Sequence, residues 1–339
     1  MTAVLELQDL RVRYRTASGE ARAVDGVSLS VGAGEYLGLV GESGCGKSTI
    51  AKAILGILPD NARIAGGSMR YRGRELVGLA PARMRELRWK DIALVPQSAM
   101  NGFDPVYTVE AQLDEAIAAH VSMRPPERAA RLEQLFEMVG LEKRRLKDYP
   151  HQFSGGMRQR AMIAMAMVLD PGLLVADEPT TGLDVIVQDQ ILQRIRAIHV
   201  EQRKTMLLIT HDMAVVAENC DRIVVMYAGQ VMESGRDAVF REPFHPYTLA
   251  LCNAFPDLDD RDRELISIPG VPPSLVDPPA GCRFAPRCPF ASARCRAEAP
   301  PLVTVGPDHV AACHDVERVV EFRRLARDPS TWREAAAAT

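Results

Sequence analysis

Gly41-Glu42-Ser43-Gly44-Cys45-Gly46-Lys47-Ser48 decides how this chain is read. The stretch fits G-x-x-x-x-G-K-S/T, the pattern of a phosphate-binding P-loop. Gly41, Gly44 and Gly46 let the backbone bend until successive N–H groups point inward at a phosphate chain. Ser43 and Cys45 complete the loop. Lys47 brings a point charge for the β- and γ-phosphates, and the Ser48 hydroxyl, followed by Thr49, can ligate Mg2+. Tyr36-Leu37-Gly38-Leu39-Val40 reads as a buried strand entering the loop. Ser48 to Leu58, stopped by Pro59, reads as a helix leaving it, with its N-terminus toward the phosphates. A plain glycine turn is the alternative, and so complete a pattern makes it weak.

The chain has 339 residues, room for two or three domains, with 47% hydrophobic and 25% charged residues. A net charge of −3 gives no reason to expect nucleic acid or another polyanion as a partner. The longest apolar run, Ala161 to Leu169, is nine residues, far short of a membrane span. The N-terminus shows no charged-then-apolar signal, so a cytoplasmic location is expected.

Val4 to Leu7, Leu10 to Tyr14 and Val27 to Val31 alternate with period two around a Ser18-Gly19-Glu20 turn, which predicts an antiparallel sheet ahead of the P-loop. Tyr14 in that sheet is either an aromatic platform for adenine or an ordinary half-buried strand residue. Ile92 to Gln97 reads as a short strand whose terminal Gln97 faces the C-terminal edge, where its amide oxygen can reach Mg2+ or an attacking water. A helical region follows, broken at Pro125-Pro126. Ser154-Gly155-Gly156 then opens a helix expected to run to Leu169, a second anion-binding design. Leu173 to Asp177 and Glu178 form an apolar strand ending in two carboxylates, costly as mere structure. Asp177 suits the Mg2+ site, and Glu178 suits a general base for water. Asp184 begins a helix over 185–202, as a cap at least. Thr205 to Thr210 reads as another buried strand, and His211 at its end is placed to meet a γ-phosphate. Beyond about residue 240, twelve of the 23 prolines fall between Pro243 and Pro301, which marks a separate, loop-rich C-terminal domain. From about Asp328 a frayed tail is expected.

In this order, the P-loop, Gln97, Ser154-Gly155-Gly156, Asp177-Glu178, the Leu183-Asp184 turn and Thr210-His211 resemble an ABC-type ATPase domain over roughly residues 4–240. Phe153-Ser154-Gly155-Gly156-Met157-Arg158-Gln159-Arg160, with Met157 where Gln is commoner, is similar to the form in peptide-importer subunits. So are His245-Pro246-Tyr247-Thr248 and the Gly281-Cys282 to Cys313-His314 region. The chain thus resembles the ATP-binding subunit of an oligopeptide/dipeptide permease, a family that includes nickel importers. The resemblance implies an α/β P-loop NTPase at residues 1–240, with an antiparallel β subdomain and a helical subdomain at about 98–165. A cysteine-containing C-terminal domain at 241–327 and a tail at 328–339 complete the expectation.

The resemblance further implies ATP hydrolysis with Mg2+ held by Ser48, Gln97 and Asp177, and catalysis by Glu178 with His211 and Gln97. It implies a head-to-tail pair in which Ser154, Gly155 and Gly156 complete the partner's site and Asp184 couples the two. The partner is expected to be a paralogous ATPase. Two transmembrane permease subunits, docked near Gln97 and Ser98 to Val109, and an extracellular substrate-binding protein complete the importer, at the cytoplasmic face of the membrane. A soluble ABC ATPase of DNA repair or translation is the other reading; such proteins carry long coiled coils or two ATPase domains, and this chain has one P-loop and no sustained heptads.

Cys282-x5-Cys288-x6-Cys295-x17-Cys313 is not the paired spacing of a zinc ribbon. Four thiolates can hold Zn2+ or an iron–sulfur cluster, and the spacing alone does not choose. Wide loops favour the bulkier 4Fe–4S centre, and the family resemblance implies the same. Structural zinc, or four reduced thiols in a small core, are the alternatives.

Overall fold

The computed structural model describes residues 3–97, 102–254 and 266–337. The alternating N-terminal segments form two long strands, β1 (Ala3–Thr16) and β2 (Gly19–Gly32), paired antiparallel with irregularities that let each strand bend. The five-residue apolar run before the P-loop is β3 (Tyr36–Val40), buried throughout. Helix α1 (Lys47–Ile54) follows. It is shorter than predicted because Gly56, at φ 59°, closes it ahead of Pro59. Strands β4 (Ala62–Tyr71) and β5 (Arg74–Glu75) then return to the first sheet, in the order β2-β1-β4-β5. The antiparallel subdomain therefore draws strands from both sides of the P-loop.

After α2 (Pro81–Leu87) and β6 (Ile92–Val95), a helical region holds α3 (Val109–Ala118), α4 (Pro125–Met138) and α5 (Gly155–Ala166). Pro125 and Pro126 occupy the first turn of α4 rather than breaking a helix, since no intrahelical N–H is required there. Helix α5 stops at Ala166, short of the predicted Leu169. Met162, Met165 and Met167 are core packing. Ser98 to Asn101, the start of the expected docking segment, lie outside the described residues.

The remaining strands are β7 (Leu173–Asp177), β8 (Thr205–Thr210), β9 (Arg222–Tyr227) and β10 (Gln230–Gly235). They are connected through α6 (Val185–Gln202) and α7 (Met213–Asn219). Next come α8 (Ala238–Arg241), α9 (Pro246–Asn253), α10 (Ala293–Ala297), β11 (Val303–Gly306) and β12 (His309–Ala311). Helices α11 (Val319–Leu325) and α12 (Pro329–Ala337) end the described chain. The main sheet runs β11-β12-β10-β9-β3-β8-β7-β6. From β9 to β6 the pairing is parallel, and these strands are continuous apolar runs because both faces are covered.

Two expectations for the C-terminal region are corrected. It is not a separate appendage: β12 pairs antiparallel with β10 and extends the main sheet. Wholly buried Glu233 of β10 accepts the backbone N–H groups of Phe244 and His245 at 2.8 and 2.9 Å and meets His309 Nε2 at 2.7 Å. Nor does the chain fray from Asp328. Trp332 in α12 is buried, its indole N–H donates to the Ala326 carbonyl at 3.1 Å, and Phe290 stacks on Phe322 at 4.3 Å beneath it. Burying one such aromatic contributes on the order of 2–3 kcal/mol, enough to fix a short helix that propensity alone would not.

Candidate active site

Parallel strands β3, β6, β7 and β8 bring their C-terminal ends to one edge of the sheet, and the P-loop crosses it. The loop needs its glycines for space as well as torsion. At Gly41 (φ 154°) a Cβ would stand 2.1 Å from the Met226 carbonyl oxygen, and at Gly46 (φ 106°) 2.2 Å from that of Ala23. Gly46 leads directly into α1, so the free N–H groups of that helix open into the loop. Lys47 is buried, and its ammonium donates to the Gly41 and Glu42 carbonyls at 2.6 and 2.9 Å. Cys45 Sγ lies 3.6 Å from it, and burial pushes the Cys45 thiol up.

The acids stand where β7 ends. Ser48 Oγ donates to Asp177 Oδ1 at 2.9 Å, so two of the three residues assigned to Mg2+ already touch. Burial pushes the Asp177 carboxyl up; the Ser48 hydrogen bond opposes this and the neighbouring Glu178 charge adds to it. A divalent cation held by these residues would reverse that logic by favouring the carboxylate. The donor set of hydroxyl, carboxylate and amide oxygens beside a phosphate cradle suits Mg2+.

Glu178 carries the most partners. Gln97 Nε2 donates to its Oε2 at 2.8 Å, Thr181 Oγ1 donates to the same oxygen at 2.9 Å, and His211 Nδ1 lies 3.3 Å from Oε1. Glu178 has a left-handed backbone (φ 46°), and its N–H is fastened to the Ile209 carbonyl at 2.8 Å. The carboxylate is thereby aimed between the ends of β6 and β8. Thr181 was not singled out in the sequence; a hydroxyl three residues beyond the paired acids, at the turn into α6, was the available signal.

The other assigned residues lie in two further places. Tyr14 is half-buried with its hydroxyl 3.4 Å from Thr49 Oγ1, next to the start of α1. Ser154 caps α5, accepting the Met157 N–H at 3.3 Å, and Asp184 caps α6, accepting the Val187 N–H at 3.0 Å. Ser154 and Gly156 line a separate cavity of about 320 Å3 with Gly140, Arg145 and Arg160, and none of Gly41 to Thr49 contributes to it.

The four clustered cysteines converge on one cavity of about 20 Å3, closed by Phe284, Phe290 and Phe322. Burial pushes the thiols of Cys282 and Cys288 up, and that of Cys313 up to about 12. Among the described residues, however, no group of three or more His, Cys, Asp or Glu stands in metal-holding geometry. The cavity has room for about one water, not for a 4Fe–4S core. The expected 4Fe–4S or Zn2+ site is therefore not supported by the structure: the donors are gathered, but they are packed as thiols.

Comparison with known proteins agrees with this geometry. The family profile described as ABC transporter matches residues 24–181, and that described as oligopeptide/dipeptide transporter, C-terminal region, matches residues 232–295. The chain is 46% identical over 327 residues to a probable peptide ABC transporter ATP-binding protein, y4tR, of Sinorhizobium fredii, covering 94% of this chain and 97% of that one. It is 44% identical to the oligopeptide transport ATP-binding protein OppD of Salmonella typhimurium, covering 91% and 93% of the two chains. Among solved structures, a dimeric post-hydrolysis state of the ATP-binding cassette MJ0796 bound to ADP and Pi matches with a TM-score of 0.62 at 27% identity, covering 69% of this chain and 98% of that one. A P-loop with Ser48 on Asp177, a carboxylate held by Gln97, Thr181 and His211, and a signature helix start in its own cavity are what an ATP-hydrolysing cassette requires, and this chain belongs to the ABC transporter ATPases, among the oligopeptide/dipeptide transporter ATP-binding subunits.

Proposed function

We propose that this ATPase powers the import of peptides, or of a related small solute, by closing and reopening as one half of a head-to-tail pair. The observation that carries the reading is the separation between Glu178, fully dressed beside the P-loop, and the Ser154–Gly156 helix start, which faces a cavity with no P-loop residue. A second ATPase subunit supplies the missing helix N-terminus to each site. Closure then adds fixed dipoles around the γ-phosphate and excludes water. Glu178 accepts a proton from the attacking water, His211 and Gln97 hold that carboxylate and the adjacent phosphate edge, and Tyr14 stacks on adenine. Ser48, Gln97 and Asp177 would hold Mg2+, which would supply charge neutralisation on the β- and γ-phosphates. Asp184 couples the two sites. Hydrolysis removes the bridging charge, and the transport subunits respond to the difference in affinity between the two states.

In this reading the partner ATPase is a paralogue, two permease subunits receive the stroke at the cytoplasmic face, and an extracellular binding protein delivers the solute. Among the described residues no helix is long and apolar enough to cross a membrane, which suits a peripheral subunit. The named relatives, which are peptide transport proteins, do not favour a role in DNA repair or translation. The test is uptake of labelled peptide into vesicles carrying the full complex. ATP-driven uptake is expected with the intact chain, and Glu178→Gln is expected to keep ATP binding, to lose at least about 100-fold in turnover and to trap the closed pair. An undiminished ATPase rate in that variant would sink the assignment of Glu178; ATPase activity without uptake of any peptide would sink the transported class.

The cysteine cavity belongs to the same proposal as a 4Fe–4S site, with Zn2+ as the alternative. Four thiols on one cavity, two buried and two half-buried, support it; their packing counts against it. Anaerobic purification with iron, sulfide and zinc analysis decides. Iron and sulfide in equal amounts, lost in Cys288→Ser, establish the cluster; zinc alone establishes a staple; neither metal leaves a small thiol core.

A further inference from the structure

The first turn of the P-loop is gripped from the C-terminal region. The Glu42 backbone N–H donates to the Tyr247 hydroxyl at 2.9 Å, and the Glu42 carboxylate receives Arg287 Nη1 at 2.8 Å. The Glu42 carbonyl accepts the Lys47 ammonium at 2.9 Å. One loop residue thus carries three anchors, two of them from outside the cassette core. Both outside anchors are themselves fixed. Tyr247 is fully buried in α9, its ring 4.7 Å from that of Tyr227. Arg287 is 6% exposed, donates a second bond to the Tyr227 hydroxyl at 3.1 Å, and turns its Nε to the Pro269 carbonyl at 2.7 Å. A buried guanidinium is destabilising unless its donors are used. Here Nη1 holds a carboxylate of the nucleotide loop, while Nε and Nη2 are held by the Pro269 and Ile268 carbonyls.

We propose that Arg287 and Tyr247 are positioning residues for ATP: acting through Glu42, they hold the first turn of the phosphate loop in its binding shape and make the C-terminal region a determinant of nucleotide affinity. A loop held in advance loses less freedom on binding, so releasing it weakens affinity without removing a contact to the nucleotide. This separates Arg287 from Glu178, whose loss stops chemistry.

The test uses the full-length chain, with Mg-ATP binding measured by equilibrium titration and steady-state hydrolysis measured in the assembled complex. Arg287→Met and Glu42→Ala are each expected to raise the dissociation constant for Mg-ATP about fivefold, and the double variant no further, because both break one linkage. Arg287→Lys, which keeps the charge, is expected to recover part of the loss. KM for ATP is expected to move more than kcat. Effects of the two single variants that multiply in the double variant, or an unchanged dissociation constant in folded Arg287→Met, overturn the proposal. Should Arg287→Met fail to fold, Tyr247→Phe decides, since it deletes only the acceptor of the Glu42 N–H: weaker Mg-ATP binding is expected, and unchanged binding overturns the role.

Discussion

At the scale of the residue, Glu178 shows how local strain is put to use. Its φ of 46° costs a non-glycine residue on the order of 1–2 kcal/mol. The tie from its N–H to Ile209 holds that conformation and points the carboxylate at Gln97, Thr181 and His211. Thr181→Val removes one donor while keeping shape. The turnover of the assembled complex is expected to fall about tenfold with KM for ATP little changed, as for a group that orients rather than binds. His245 is a second case. It caps α9, with Nδ1 accepting the Tyr247 N–H at 3.0 Å, and burial pushes its imidazole down to about 3. The unfolded imidazole takes its proton near 6.5. The stability owed to the neutral form is therefore complete above about pH 6.5 and is lost as pH falls toward 3, by up to about 1.4 kcal/mol per unit. Thermal unfolding between pH 7 and pH 5 is expected to show this slope, flattened in His245→Asn, which keeps a cap; equal slopes would contradict the assignment.

At the scale of the element, Gly156 is a packing residue as much as a signature residue. A Cβ there would stand 2.4 Å from Val187 Cγ1, so α5 and α6 touch through its missing side chain. Gly156→Ala is expected to destabilise the chain by about 1–3 kcal/mol in urea unfolding, and Val187→Ala in the same chain to recover most of that. The elements also show what could be read beforehand. Strands β3, β6, β7 and β8 and helix α6 were legible because each is bounded by local chemistry: an apolar run, a glycine, a capping Asp184. Ser48 and Asp177 are 129 positions apart, yet their meeting was legible because each sits in a motif with a fixed place on the sheet edge. Glu42 and Arg287 are 245 positions apart and neither residue type is unusual where it stands, so no local rule joins them. Helix ends were misjudged where one residue outweighed periodicity, as Gly56 does for α1. The order of the tail from Asp328 was not legible because Trp332 packs on Phe290, distant in sequence.

At the scale of the molecule, the C-terminal region is bolted on by charge. Arg283, 3% exposed, donates to Asp25 and to the Ala228 carbonyl; Arg11, Arg13 and Arg22 surround the same carboxylate. Burial pushes the Asp25 carboxyl up, but Arg13 and Arg283 outweigh it and hold it below its usual value of 3.8. A depressed carboxylate stabilises the fold fully at neutral pH, and its contribution is lost only as pH falls below about 3.8. Arg283→Met is expected to cost about 3 kcal/mol at pH 7, and the difference from the intact chain is expected to shrink as Asp25 protonates. A difference that does not shrink as pH falls below about 3.8 would mean that packing, not charge, does the holding.

The pairing of β12 with β10 has a practical corollary. A chain cut after residue 240 would keep the P-loop, Glu178 and their neighbours at the sheet edge but lose Tyr247 and Arg287, and would leave β10 bare along one edge, with Val231 and Met232 newly wetted. Bare apolar edges recruit strands from other molecules. Such a truncated protein is expected to precipitate or to form edge-to-edge aggregates when concentrated. The last hundred or so residues thus serve as a solubility cover for the cassette, whatever else they hold.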